Sequence, residues 1–243
     1  MMATLRDWLR SSPTYAFNLV FRDRWIAARA AELPAGSRVL DVGAGSCPYR
    51  PLFAHCEYRS QDFTNLAGEQ LRHGGYGQID YVCDAGAIPV ADGSFDAVLC
   101  TEMLEHVPDP LRVIGEIARV LKPGGRLILT APLGSGIHQE PYHYYGGYTP
   151  FWYEKFLGEA GFTAIDVEAN AGFFRFFGQE AIRFLRLSMP NKLPLWAGIA
   201  WAPFWLMLLP LLGGLMPLLA VWLDRYDSER RFTVGYHVTA RRA

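Results

Sequence analysis

The sequence predicts a doubly wound α/β fold built on a largely parallel sheet, and three observations carry that prediction. Short strand-like runs at 39–42, 58–63, 79–83, 95–101 and 126–131 alternate with stretches of helical spacing. The first run feeds straight into Gly43, Ala44 and Gly45, a turn of the kind that presents backbone N–H groups at the carboxyl edge of such a sheet. A late stretch, Leu193 to Leu223, carries no charged side chain and stands outside the alternation.

A chain of 243 residues suffices for one α/β domain with an insertion, or for two small domains. A net charge of −1 with 19% charged residues argues against a broad nucleic-acid footprint, which needs clustered Lys and Arg. Cys47, Cys56, Cys83 and Cys100 show no Cys-x-x-Cys spacing and fall in or beside apolar runs, so free thiols in a reducing compartment are expected. Met1 to Arg10 carries charges where an export signal needs an apolar core; a cytoplasmic protein is expected.

Ser12 and Pro13 open a helical pattern that continues from Tyr15 to Leu33 as a flank or lid. The first strand, Val39 to Val42, contains Asp41 and delivers the glycine turn. A dinucleotide fingerprint would want a third glycine where Pro48 stands, and Asp41 would repel a pyrophosphate but hold a cationic amino group. Both features favour S-adenosylmethionine over a dinucleotide, with a plain tight turn as the alternative. Pro48 and Pro51 shorten the first crossover to Tyr49–Phe53. The second strand, Tyr58 to Phe63, carries Asp62 about twenty residues beyond the turn, where a carboxylate can accept from both ribose hydroxyls. The third, Ile79 to Cys83, is closed by Asp84 and Ala85, and Asp84 is placed to accept from an adenine amine.

Phe95 to Thr101 is continuously apolar, as a central strand buried on both faces must be, and it delivers Glu102 and His106 to the same edge. Pro108, Asp109 and Pro110 start a helix with Leu111, Ile114, Ile117, Ala118 and Leu121 on one face. Lys122-Pro123-Gly124-Gly125 ends it, and Arg126 to Ala131 is the fifth strand.

In their order and spacing over 38–167, five segments together resemble the class I S-adenosylmethionine-dependent methyltransferases, the broad group that includes quinone-biosynthesis methyltransferases. They are Leu40-Asp41-Val42-Gly43-Ala44-Gly45, Cys83-Asp84-Ala85, Ser94-Phe95-Asp96-Ala97-Val98, Leu104-Glu105-His106-Val107 and Leu121-Lys122-Pro123-Gly124-Gly125. The resemblance implies a Rossmann-like sheet of seven strands with the last antiparallel, and S-adenosyl-L-methionine held by Asp41, Gly43, Ala44, Gly45, Asp62, Phe63, Asp84, Ala85, Thr101 and Glu102. One departure is Cys47, where the family often has glycine, which leaves the path of the turn in question.

The loop after the fifth strand, Ile137 to Thr149, leaves the edge where a transferable methyl would sit. His138 and His143 are candidate bases for a hydroxyl acceptor, His106 is a third, and the tyrosines suit an aromatic or apolar pocket. Histidines that merely hydrogen-bond within a folded loop are the alternative. Their spacing matches no standard zinc pattern, so no metal is expected.

Phe151 to Ala160 reads as a helix, Phe162 to Glu168 as the sixth strand and Phe232 to Ala240 as the seventh. The expected organisation is a flank helix at 1–33, a methyltransferase domain at 34–170 and 232–243, and a hydrophobic insertion at 171–231. Pro203, Pro210 and Pro217 are expected to break the insertion into short helical pieces forming a shallow hairpin or interfacial helices. Phe174, Phe177, Ala181, Phe184 and Leu185 share one predicted face, with Arg175, Gln179, Arg183 and Arg186 on another, the pattern of a helix in a lipid headgroup layer. Peripheral membrane contact through 174–223, on the inner face, and a lipophilic small-molecule acceptor are therefore expected. The alternatives are a soluble metabolite under a lid or dimer interface, and a cofactor-binding membrane module without turnover.

Overall fold

The computed structural model of the chain describes Trp8, Leu9 and residues 11–243, so most of the segment considered for an export signal lies outside the described residues. Contacts divide the chain into two compact units, one of Arg22–Glu168 with Gly235–Ala243, the other of the residues up to Phe21 with Ala169–Val234.

The larger unit holds the sheet. In chain order its elements are α1 (Phe17–Ala31, begun in the other unit), β1 (Arg38–Val42), β2 (Glu57–Asp62), β3 (Tyr81–Val82), β4 (Phe95–Thr101), α2 (Pro110–Val120), β5 (Leu121–Pro132), α3 (Pro150–Glu159), β6 (Phe162–Ala169) and β7 (Gly235–Arg242). The strands run in the order β3-β2-β1-β4-β5-β7-β6. β1 is parallel to β2 and β4, β4 is parallel to β5, and β7 returns antiparallel to β5. This is the predicted doubly wound sheet of seven strands.

Burial explains the order. Val39, Leu40 and Val42 of β1 and Ala97 to Cys100 of β4 are fully buried, as central strands covered on both faces must be. Ile26 and Ala30 of α1 pack on Val39, Leu99 and Ile128 together with Tyr49 and Phe53. α2 starts where expected, because Asp109 accepts from the Arg112 N–H at 3.0 Å and Pro110 occupies the first turn.

Several boundaries differ from the prediction, among them that of β3, which spans only Tyr81–Val82. β5 begins at Leu121, not Arg126: Phe95 faces Leu121 and Ala97 faces Arg126, so Lys122-Pro123-Gly124-Gly125 bulges from a strand that continues on both sides of it. The first crossover is a 3-10 turn, Arg50–Phe53. β7 begins at Gly235, because Phe232 is exposed and only a residue without a side chain fits against the Ala131 carbonyl and Pro132. All four cysteines are free, Cys47 and Cys100 buried and the other two half-buried.

The smaller unit contains α4 (Phe173–Leu187), α5 (Leu195–Pro210) and α6 (Met216–Leu223). The expectation that prolines break the apolar run is corrected: Leu195–Tyr226 is one continuous helical rod of 32 residues, long and apolar enough to cross a membrane. A π-helical segment, Leu211–Leu215, follows Pro210 and absorbs the misfit there, and the adjoining turns are anchored on α4. Gly178 sits so close to α6 that a Cβ would lie 3.0 Å from that of Ala220. Trp201 and Trp205 donate their indole N–H groups to the carbonyls of Ser188 and Leu185 at the end of α4. At its start, Asp224 accepts from the Gly172 and Arg175 N–H groups and Asp227 from that of Phe173. The result is a helical hairpin.

This packing divides the predicted apolar face of α4. Ala181 and Leu185 are buried, whereas Phe177 and Phe184 point outward. Arg175 is not free to meet a headgroup: its Nε lies 3.5 Å from Asp224, it donates to the Pro13 carbonyl, and its guanidinium stacks 4.9 Å from the Phe21 ring. Replacing Asp224 by Ala removes the buried acceptor for the first amides of α4 and the partner of Arg175. The variant is expected to lose about 2 kcal/mol, a fall in Tm of about 6 °C measured by thermal unfolding.

Candidate active site

The carboxyl edge of the sheet is built from the ends of β1, β2, β4 and β5. Leaving β1, Gly43 and Ala44 both donate N–H groups to the Gln61 carbonyl at 3.0 Å, and Gly45 donates to Asp62 Oδ2 at 2.8 Å. Gly43 has φ +72° and lies against Met103 so closely that a Cβ would overlap its side chain, so glycine is required there on both counts. Cys47 takes up the left-handed conformation at φ +51°, so the turn keeps its course without the glycine often found at that position. Beneath the turn, Asp41 is buried and accepts from the Tyr58 hydroxyl at 2.5 Å. Among the described residues its Oδ1 has no partner, nor has the buried hydroxyl of Ser46. Burial raises the Asp41 carboxyl to about 7, opposed by the Tyr58 hydrogen bond and reinforced by the nearby charge of Asp62.

Asp62 is buried, and its second oxygen accepts from the Thr64 N–H at 2.9 Å. It therefore clamps the turn from both of its oxygens. Phe63 is half-buried with its ring edge-on to Tyr142 at 5.0 Å. Asp84 is exposed and accepts from the Gly86 N–H at 2.6 Å, with half-buried Ala85 between them. The residue that links these pieces, absent from the sequence reading, is Gln61. Its buried side chain donates to the Cys83 carbonyl at 2.6 Å and accepts from Gly43 N–H at 3.3 Å, joining β1, β2 and β3.

At the end of β4, half-buried Thr101 leads into Glu102, which has φ +47°. The Glu102 carboxylate pairs with Arg22 at 2.8 Å and accepts from the Thr130 hydroxyl at 2.9 Å, so it ties α1 and β5 to the edge. Next, the 3-10 turn Leu104–His106 becomes the seat of the loop after β5. Tyr144 and Tyr145 donate N–H groups to the Glu105 carbonyl, and the Tyr148 hydroxyl donates to the Leu104 carbonyl at 2.7 Å. Nδ1 of His106 meets the Tyr142 carbonyl at 2.5 Å.

This docking brings His106, His138 and His143 together, with ring centroids 4.7 to 5.6 Å apart. Burial lowers His106 to about 4, against the pull of the Tyr142 carbonyl and with help from the other two imidazoles. His143 is lowered by burial and by His138. Glu105, read in the sequence only as part of the segment Leu104-Glu105-His106-Val107, is buried with one carboxyl oxygen unpartnered among the described residues, and burial pushes its carboxyl well up. Its only signal was its place beside His106 in an otherwise apolar turn.

Fold and edge define a class. Residues 40–129 match the model of the methyltransferase domain family. Over that part the chain is similar to a methyltransferase domain. The chain is 39% identical over 126 residues to the ubiquinone biosynthesis O-methyltransferase of Xanthomonas axonopodis pv. citri (strain 306), covering 49% of this chain and 51% of that one. It is 36% identical over 139 residues to an uncharacterized methyltransferase of Mycobacterium sp. (strain JLS), covering 51% and 52%. The chain thus spans about half the length of the curated relatives it matches. Among solved structures, Haemonchus contortus phosphoethanolamine N-methyltransferase 2 with bound S-adenosylmethionine superposes at a TM-score of 0.51, with 18% identity over 99% of this chain and 60% of that one. The cyclase SpnF superposes at 0.52, with 23% identity over 90% and 80%. These likenesses are of fold; a cyclase among them shows that the fold alone does not name the reaction.

A cofactor amino group held at Asp41 would bind with an affinity that depends on pH. Below its midpoint Asp41 is neutral, and above it the carboxylate can meet a cationic amino group. The affinity for S-adenosylhomocysteine should therefore rise with pH up to and through about 7, and Tyr58→Phe, which removes a stabilising donor, should move the midpoint upward. Because the folded value lies above the usual one, this group's contribution to stability without ligand is full at low pH and is lost as pH rises from about 4 to about 7. Calorimetric titrations across pH 5–9 check both signs.

Proposed function

We propose that the chain is an S-adenosylmethionine-dependent methyltransferase acting on a lipophilic small molecule presented at a membrane surface. Bound S-adenosylmethionine supplies the activated methyl group. Asp41, through its unpartnered oxygen, is the group suited to the cofactor's amino cation, while Asp62, Phe63, Asp84 and Ala85 are assigned to the adenosine and Thr101 and Glu102 to the floor of the site. The docked loop of tyrosines supports exclusion of water from the acceptor side. His106, His138 and His143 are the catalytic groups of this reading and draw the proton from an acceptor hydroxyl. The relatives named as ubiquinone biosynthesis O-methyltransferases support an oxygen acceptor of quinone type.

The lipophilic class of the acceptor rests on one observation, the outward apolar surface of the helical rod. Leu195, Trp196 and Met207 are 80%, 77% and 73% exposed, and Ile199, Phe204 and Leu206 are open beside them. An uninterrupted surface of this kind, bracketed by Lys192 and Arg225, suits the headgroup boundary of a bilayer, with the enzyme peripheral on the cytoplasmic face.

Incubation with labelled S-adenosylmethionine should form S-adenosylhomocysteine with a bacterial lipid extract and not with a soluble metabolite pool. The reverse result overturns the acceptor class, and binding without turnover on either leaves a non-catalytic module. Wild-type turnover by His138→Ala and His143→Ala with the true acceptor removes these residues from the mechanism.

Flotation with anionic vesicles tests the surface separately. The pair Trp196→Asp and Met207→Asp should weaken binding by at least about tenfold, given about 1.5–3 kcal/mol for each apolar side chain buried. A wild-type chain that ignores the vesicles removes the membrane from the proposal.

A further inference from the structure

We propose that His106, His138 and His143 bind a zinc ion at the carboxyl edge of the sheet. One ring nitrogen from each of the three lies within 4.8 Å of the others. Along the chain their spacing resembles no zinc motif; the grouping arises only because the loop after β5 docks on the turn after β4. Three imidazoles with a fourth position open is the donor set of a catalytic zinc centre.

The hydrogen bonds around the rings support the assignment more than proximity does. A carbonyl can only accept, so Nδ1 of His106 must carry the proton it shares with the Tyr142 carbonyl, and Nδ1 of His138 the proton it shares with the Gly136 carbonyl at 2.9 Å. Each ring is thereby fixed in the tautomer that leaves Nε2 with a free lone pair, which is how ligating histidines are prepared. On the third ring, Nδ1 of His143 is buried and has no partner among the described residues. A buried nitrogen without a partner costs free energy unless something occupies it, and a cation shared with its two neighbours satisfies it. Glu105 Oε1, 3.7 Å from Nε2 of His106, adds a carboxylate beside the ion.

Tetrahedral zinc with bonds of about 2.0–2.1 Å requires its nitrogens about 3.3 Å apart. The three nitrogens already lie within 4.8 Å of one another, so binding would draw them together by about 1.5 Å at most. Imidazole nitrogen favours zinc over magnesium or calcium, which take oxygen.

The inference deepens the proposed acceptor chemistry and rests on that reading for its role. At the open position the ion would bind the acceptor hydroxyl oxygen and lower its pKa, so that the proton passes to water and the three imidazoles act through the metal. The binding site itself stands on the ring geometry alone.

The test uses the full chain, stripped of metal and titrated with Zn2+ or Co2+ as the only added ligand. Expected are one equivalent bound with micromolar or tighter affinity, and the intense visible absorption of four-coordinate cobalt. His138→Ala, an exposed position, and His143→Ala should each weaken binding at least tenfold and abolish the cobalt bands. Thermal stabilisation by S-adenosylhomocysteine should be unchanged, which certifies the fold. Absence of saturable binding, or equal binding by the His138→Ala/His143→Ala double variant, overturns the site. A chain that binds zinc yet turns over no acceptor keeps the site and fails the methyltransferase reading. Full turnover by metal-stripped protein keeps that reading and removes the metal from it.

Discussion

The hydrogen bond from the Gly45 N–H to the Asp62 carboxylate, 2.8 Å long, is the interaction on which the cofactor edge depends. Where β1 stops, the amides of Gly43, Ala44 and Gly45 lose their ladder partners and cannot be left buried and unmet. β2 satisfies all three, the Gln61 carbonyl accepting from Gly43 and Ala44 and the carboxylate of Asp62 from Gly45. With the turn pinned to the neighbouring strand, Asp41 is trapped below it, away from water, with Tyr58 as its hydrogen-bond donor. The perturbed acid is a consequence of the clamp.

A second edge is organised by the same rule with different atoms. The turn after β4 offers the carbonyls of Leu104 and Glu105, and the loop after β5 satisfies them with Tyr148, Tyr144 and Tyr145. The histidines are carried along: His106 stands on the turn, and His138 and His143 arrive with the loop. Glu102 braces this edge through Arg22 and Thr130.

These differences explain what could be seen in advance. The order of strands, the central position of 95–101 and the glycine turn were legible because each is a local pattern repeated along the chain. The limits of β7 and β5 were not, because Gly235 is fixed by its approach to Ala131 and the bulge at 122–125 by strand pairing. At the carboxyl edge, the positions of Asp41 in β1, Gly43 just after it and Asp62 at the end of β2 were readable from the chain. Gln61 was hidden because a buried glutamine in a strand has no sequence signature, and the imidazole cluster because its members meet only through a loop fold. The capping of α4 by Asp224 and Asp227 was equally hidden, since those residues lie some fifty positions later in the chain.

The hairpin limits how the apolar rod can meet a bilayer. At a rise of 1.5 Å per residue its 32 residues span about 48 Å, well over the roughly 30 Å of a hydrocarbon core. Its far end is held to the start of α4 by Asp224, and α4 carries Arg183 and Arg186 exposed on its surface. A full crossing would draw those charges into hydrocarbon or strip α4 from its packing against Ala220. Pro203, Pro210 and Pro217 each lack an N–H, and the carbonyls they leave without a ladder partner are better tolerated where water reaches them. Were the rod to meet a bilayer, length, attached charge and interrupted hydrogen bonding would favour the same placement, along the headgroup boundary with its open apolar side chains turned toward the lipid.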